Sequence, residues 1–178
     1  PGAGVPLGAG GWAGAPFGLG VLLWPVVLAL LLARIATQGL WPERLLPATF
    51  IAVTPPALIG SGALQLGASP VLAWMAWGVA LLTLLWCAPL MRRILAQPFG
   101  IGFWALGFPL AAFAALTLRL AFLSDGLQAL AMVALALASL VIVLLAMASW
   151  KGWRQGTLLA PEAAPVMSIT ASRSDRAR

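Results

Sequence analysis

A chain of 178 residues that is 62% apolar and only 8% charged departs far from soluble domains, where those shares are about 45–50% and 25%. So much apolar surface has no core to hide in, which excludes a soluble domain and makes the bilayer its solvent. With no His, a single Cys (Cys87) and four acids, the chain lacks an internal disulfide and a His/Cys metal site, and no cofactor is expected. The net charge of +6 is spread over loops and tail, which fits membrane orientation and not nucleic-acid binding.

The glycine-rich start, residues 1–20, reads as a loop running into a first span, and no basic stretch precedes it as in a signal peptide. About 20 apolar residues cross the hydrocarbon core. Five stretches meet that length: 12–33, 45–66, 70–90, 98–123 and 127–150. Helix is the form that satisfies every backbone polar group within one segment, and the alternation of a β-barrel is absent. The predicted fold is therefore all-α and integral to the membrane, with short connections that make consecutive helices antiparallel neighbours. Residues 1–156 form the membrane region. Residues 157–178 turn to Pro, Ser, Ala and Arg and read as a disordered cytoplasmic tail.

Basic residues orient the bundle. Arg34 and Arg44 flank the first gap, Arg92 and Arg93 occupy the third, and Lys151 and Arg154 follow the last span, while the gap at Gly67–Ser69 has no charge. This alternation puts the C-terminus in the cytoplasm and the start of the chain outside. An outside start without a leader, in a chain opening on Pro1, leads to the expectation of a fragment preceded by an odd number of spans.

The spans are of two kinds. The first, third and fifth are smooth runs of Leu, Val and Ala, with tryptophans such as Trp24, Trp74, Trp77, Trp86 and Trp150 as belt aromatics, and they read as lipid-facing. The second carries Pro47, Thr49, Thr54, Pro55, Pro56, Gly60, Ser61 and Gly62. The fourth carries Gly107, Pro109, Thr117 and Arg119. Small residues permit close helix approach, and prolines need neighbours or water for the carbonyls they free, here those of Ile51, Ala52 and Ala105. The second and fourth spans are thus expected inside.

Phe108, on the face of Trp104, Ala112 and Ala115, is either a packing aromatic or a path-lining one. Pro109 reads as a kink. Arg119 lies about 6 Å from its span end, where it either snorkels to the outer interface or faces a path. Thr49, Thr54 and Thr117 bond back to their own helices or line that path. No span holds a mid-membrane Asp, Glu or His from which a proton relay is built, and no nucleophile–base pair suggests an enzyme. Hydroxyls, freed carbonyls and one cation suit a weakly binding pore.

Two segments carry a resemblance. Pro47-Ala-Thr-Phe-Ile-Ala-Val-Thr-Pro-Pro56 in the second span and Phe103-Trp-Ala-Leu-Gly-Phe-Pro-Leu110 in the fourth, with the closing Leu144–Trp153, resemble the C-terminal half of the tellurite-resistance/dicarboxylate transporter family, which includes the plant slow anion channels. The resemblance covers residues 18–156 and implies helices six to ten of ten. It implies five hairpins around a central pore, odd-numbered helices inside, and a homotrimer whose subunits each have a pore. It further implies that Phe108 occludes the pore midway and that Arg119, eleven positions on, stands as in the plant branch.

The reading is then an anion channel or uncoupled anion exporter of a bacterial inner membrane, in contact with lipids and small anions. Phe108 is its gate, and Thr49, Thr54, Pro55, Pro56, Pro109 and Thr117 are lining or kink residues. Arg119 attracts anions. Two alternatives are an ion-coupled exporter of dicarboxylate, sulfite or tellurite-like oxyanions and a non-transporting membrane scaffold.

Overall fold

A computed structural model describes Gly8 and residues 10–156. The expected disordered tail at 157–178 lies outside the described residues. Among these, helices and turns account for all regular structure, and five helical stretches are long and apolar enough to cross a membrane: Gly11–Gln38, Glu43–Gln65, Pro70–Leu95, Ile101–Ala121 and Asp125–Arg154.

The first span is one helix, α1 (Gly10–Gln38), which runs through Gly11, Gly14, Gly18, Gly20, Pro16 and Pro25. The loop expected over residues 1–20 is therefore corrected from Gly10 onward. Each glycine costs a helix roughly 0.5–1 kcal/mol relative to alanine, but an apolar solvent offers the backbone no other partners and favours the helix regardless. α1 stands apart: none of its most apolar stretch is buried within the chain.

The second and fourth spans each change winding partway. The second begins as a 3-10 helix, Glu43–Val53, and continues as α2 (Thr54–Gln65). The fourth begins as a 3-10 helix, Ile101–Leu106, and continues as α5 (Gly107–Ala121). Eleven residues of 3-10 helix exceed the usual three or four, and proline supplies the reason. A 3-10 carbonyl looks three residues ahead for its donor, where an α carbonyl looks four. Ile51, whose α donor is missing because Pro55 has no N–H, accepts from the Thr54 N–H instead. The expectation of a freed Ile51 carbonyl is thereby corrected. The switch in the fourth span works alike: Gly107 N–H bonds Trp104 O just before Pro109 enters the α segment.

The third span comprises α3 (Pro70–Cys87), a 3-10 turn at Ala88–Leu90 and the short α4 (Met91–Leu95). Ser69 Oγ caps α3 by accepting from Val71 N–H, and Pro70 opens the helix without wasting a donor. The fifth span is α6 (Gln128–Arg154) behind a turn at Asp125–Leu127. Gly67 ends α2 at φ 76°, a left-handed angle that suits glycine, and lets Ala68 N–H return to Ala63 O at 2.9 Å.

α2 and α3 pair as one hairpin, α5 and α6 as another, and α2 lies along α5 while the two 3-10 segments lie against each other. Burial sorts the layers. The apolar windows of the second and fourth spans are 67% and 44% buried, against 0%, 22% and 17% for the others. The two spans richest in proline, glycine and threonine are thus the most enclosed. One core unites Val53 at the end of the first 3-10 segment with Ala57 of α2, Ala73 and Ala80 of α3, and Ala112, Phe113, Leu116 and Leu120 of α5. A second joins Leu46, Phe50, Cys87, Ile94 and Leu106 around the 3-10 segments.

Close approach depends on small residues. α3 turns Ala73, Ala76 and Ala80 inward, a buried stripe on a span that reads as smooth and lipid-facing. A Cβ on Gly60 would stand 2.8 Å from Leu116 Cδ2 and 3.1 Å from Ala76 Cβ, so only glycine fits where α2, α3 and α5 meet. Trp77, read as a belt aromatic, instead stacks on Phe113 at 6.1 Å and donates from Nε1 to Thr117 Oγ1 at 3.0 Å.

Candidate functional site

The fourth span separates its residues sharply by exposure. Leu106, Gly107, Pro109, Ala112, Phe113, Ala114, Leu116, Thr117 and Leu120 are buried. Trp104, Phe108, Ala115, Arg119 and Phe122 are exposed, and their spacing of four, seven, four and three residues traces one helical stripe. Phe108 is 63% exposed, whereas Phe113, five residues on, is 5% exposed. An aromatic that served only to fill the core would sit like Phe113.

The local sequence places Phe108 there. Gly107 lies against α6, where a Cβ would touch Ile142 and Leu145 at 3.7 Å, so this edge of α5 is held close to its hairpin partner. Trp104 is tied to α6 by its Nε1 donating to Ser149 Oγ at 2.9 Å. Pro109 is buried behind and opens the α segment. Phe108 thus stands at the change of winding, on the side opposite the core.

Arg119 follows eleven residues later on the same stripe, about 16 Å along the axis at 1.5 Å per residue. It is exposed and forms no ion pair or hydrogen bond among the described residues. No carboxylate shares its stripe. Of the described acids, Glu43 pairs with Arg93 at 3.4 Å and accepts from Gln97 at 2.7 Å, and Asp125 accepts from Gln128 at 3.5 Å. Both begin their spans.

The other candidate residues lie elsewhere. Thr49 is buried with its hydroxyl donating to Leu46 O at 2.6 Å. Thr117 is fully buried, donates to Phe113 O at 2.7 Å and accepts from Trp77. Thr54, Pro56 and Pro109 are enclosed between helices. Pro55 is half-buried and borders a groove of about 430 Å³ between α1 and α2, with Pro16, Phe17, Val21 and Leu58. The structure therefore brings Phe108 and Arg119 together on one open face and keeps the threonines among the packed helices. On the second span, Ile51 and Leu58 are the large residues left open near the change of winding.

Sequence reasoning passed over Trp77 and Trp104 as polar partners. The signal was available: an indole N–H well inside an apolar span requires an acceptor, and Thr117 and Ser149 are among the few hydroxyls on offer. No cluster of His, Cys, Asp or Glu suited to a metal occurs among the described residues. The open face of α5 thus presents an exposed aromatic ring at Phe108 and, three turns on, the Arg119 guanidinium.

The family model for voltage-dependent anion channels matches residues 11–150. No curated protein and no solved structure matches the chain.

Proposed function

The chain belongs to the voltage-dependent anion channel family, and on that premise we propose that it contributes to an uncoupled anion pathway gated by Phe108. The observation that carries this reading is the stripe on α5, where Phe108 and Arg119 are open while the residues between them, Ala115 aside, are wholly or partly buried. Phe108 obstructs the pathway at mid-span with an apolar ring that an anion cannot pass without dehydrating. Arg119, three turns toward the outer end, raises the local anion concentration, an effect that needs no direct coordination. Pro109 holds the change of winding behind Phe108. Thr49, Thr54 and Thr117 support the helices instead of lining the path, because they are buried between them.

Among the described residues no span carries a mid-membrane carboxylate or histidine, which supports an uncoupled mechanism, since proton coupling needs a titratable group on the route. The membrane potential then drives flux. An inside-negative potential is worth about 2.3 kcal/mol per charge per 100 mV and expels anions. We further propose a bacterial plasma membrane, a homotrimer and a cytoplasmic C-terminus, the last supported by the distribution of basic residues.

The test is flux from proteoliposomes across chloride, nitrate, sulfite, malate and tellurite. The proposal expects rates that follow the imposed potential and ignore a pH gradient. Flux driven by the pH gradient at zero potential would establish a coupled exporter, and no flux of any anion would leave the scaffold reading in place.

A further inference from the structure

The change of winding in the second span leaves one carbonyl with no helical donor. Ala52 looks three residues ahead to Pro55 and four ahead to Pro56, and neither has an N–H. Ile51 avoids this fate by taking the Thr54 N–H. In the fourth span a single proline can be stepped over by changing from 3-10 to α winding. Two successive prolines cannot, because one pattern meets the first and the other meets the second.

Two residues from that carbonyl lies an orphan hydroxyl. Thr54 is 7% exposed, and its Oγ1 is buried without a hydrogen-bond partner. The other two buried threonines, Thr49 and Thr117, each donate to their own helix at 2.6 and 2.7 Å. Ala52 itself is 5% exposed. A carbonyl without its usual helical donors and a hydroxyl without a partner thus lie two residues apart in sequence, both in buried residues of the most enclosed span. Leaving such groups unpaired is costly in an apolar medium.

We propose that this junction is a binding site for a single water molecule, which donates to Ala52 O and exchanges a hydrogen bond with Thr54 Oγ1. The chemistry selects water: both groups are neutral, the site needs a donor that also accepts, and buried waters are held by two to four such partners. An anion is disfavoured because the carbonyl repels it and the two prolines remove the N–H groups that a helix start usually offers. The water completes the hydrogen bonding of a span that proline would otherwise leave open. The 3-10 segment Glu43–Val53 packs against the 3-10 segment Ile101–Leu106, so the proposed water site and Phe108 each lie at or just past the end of one of these paired segments.

The site is tested by solid-state NMR on the full chain in lipid, measuring transfer of magnetisation from water to a ¹³C-labelled Ala52 carbonyl. The expected result is a water contact that persists in a dried bilayer, survives Thr54→Ser and disappears in Thr54→Val. A companion measurement compares thermal unfolding of Thr54→Val in the natural background and in Pro56→Ala, which restores a donor four residues after Ala52. Thr54→Val should lower the unfolding temperature by about 2–4 °C in the first and by clearly less in the second. An Ala52 carbonyl without water contact, or an equal penalty in both backgrounds, overturns the proposal.

Discussion

Replacing Gly60 by alanine probes the packing on which the two inner spans depend. The new Cβ would stand 2.8 and 3.0 Å from the Leu116 methyls and 3.1 Å from Ala76 Cβ. Leu116 is fully buried and cannot swing outward, and Ala76 has no rotamer to change. The backbones of α2, α3 and α5 must therefore separate. Overpacking of this kind costs about 1–3 kcal/mol, and alanine returns roughly 0.5–1 kcal/mol through helix propensity. The net loss is about 0–2.5 kcal/mol, centred on a fall of a few degrees in unfolding temperature for a chain of this size. Gly78, in α3, is the control, because a Cβ there meets nothing within 4 Å. Gly78→Ala should be neutral or stabilising. Trimming the obstruction with Leu116→Val in the Gly60→Ala background should recover part of the loss. Thermal unfolding of the detergent-solubilised protein reads all four. If Gly60→Ala unfolds at or above the natural temperature while Gly78→Ala behaves as expected, the three helices do not meet as described.

Other outcomes follow from the same contacts. Thr117→Val leaves the half-buried Trp77 N–H without its acceptor and should cost about 1–2 kcal/mol, seen as a lower unfolding temperature, with the anion preference of the remaining flux unaltered. Glu43→Gln breaks an ion pair whose side chains are about half exposed, so its effect on unfolding should stay below about 1 kcal/mol. Arg119→Gln should lower anion flux severalfold at low ionic strength and much less at high salt, where fields are screened beyond roughly 3–8 Å, while Arg119→Lys retains most of the flux. Equal flux from the Gln variant at low salt would mean that Arg119 only snorkels.

Much of the fold was legible in the chain because membrane helices need length and apolarity, and those are properties of composition. The inner position of the second and fourth spans was legible for a related reason: Pro47, Pro55, Pro56, Gly60 and Pro109 are tolerated only where neighbours close around them. Winding was not legible. Proline announces that an α bond is lost, but whether the carbonyl stays free or finds a donor three residues ahead depends on the backbone path, as at Ile51. The start of α1 was misread because its glycines lower helix propensity in water, and water is absent along a span. Stripe assignment was partly legible: Phe108 and Arg119 are eleven residues apart, close to three whole turns. Which side of that helix stays open was not, since it depends on where α2, α3 and α6 pack.

The central claim is that Phe108 obstructs an anion pathway, and single-channel or proteoliposome anion flux of Phe108→Ala measures it most directly. Because Phe108 is largely exposed within the chain, its removal should spare the fold, as an unchanged unfolding temperature would confirm. The account predicts a severalfold rise in anion flux over the natural protein at the same potential, with Phe108→Leu between the two. Flux from a folded Phe108→Ala protein equal to that of the natural protein would contradict it.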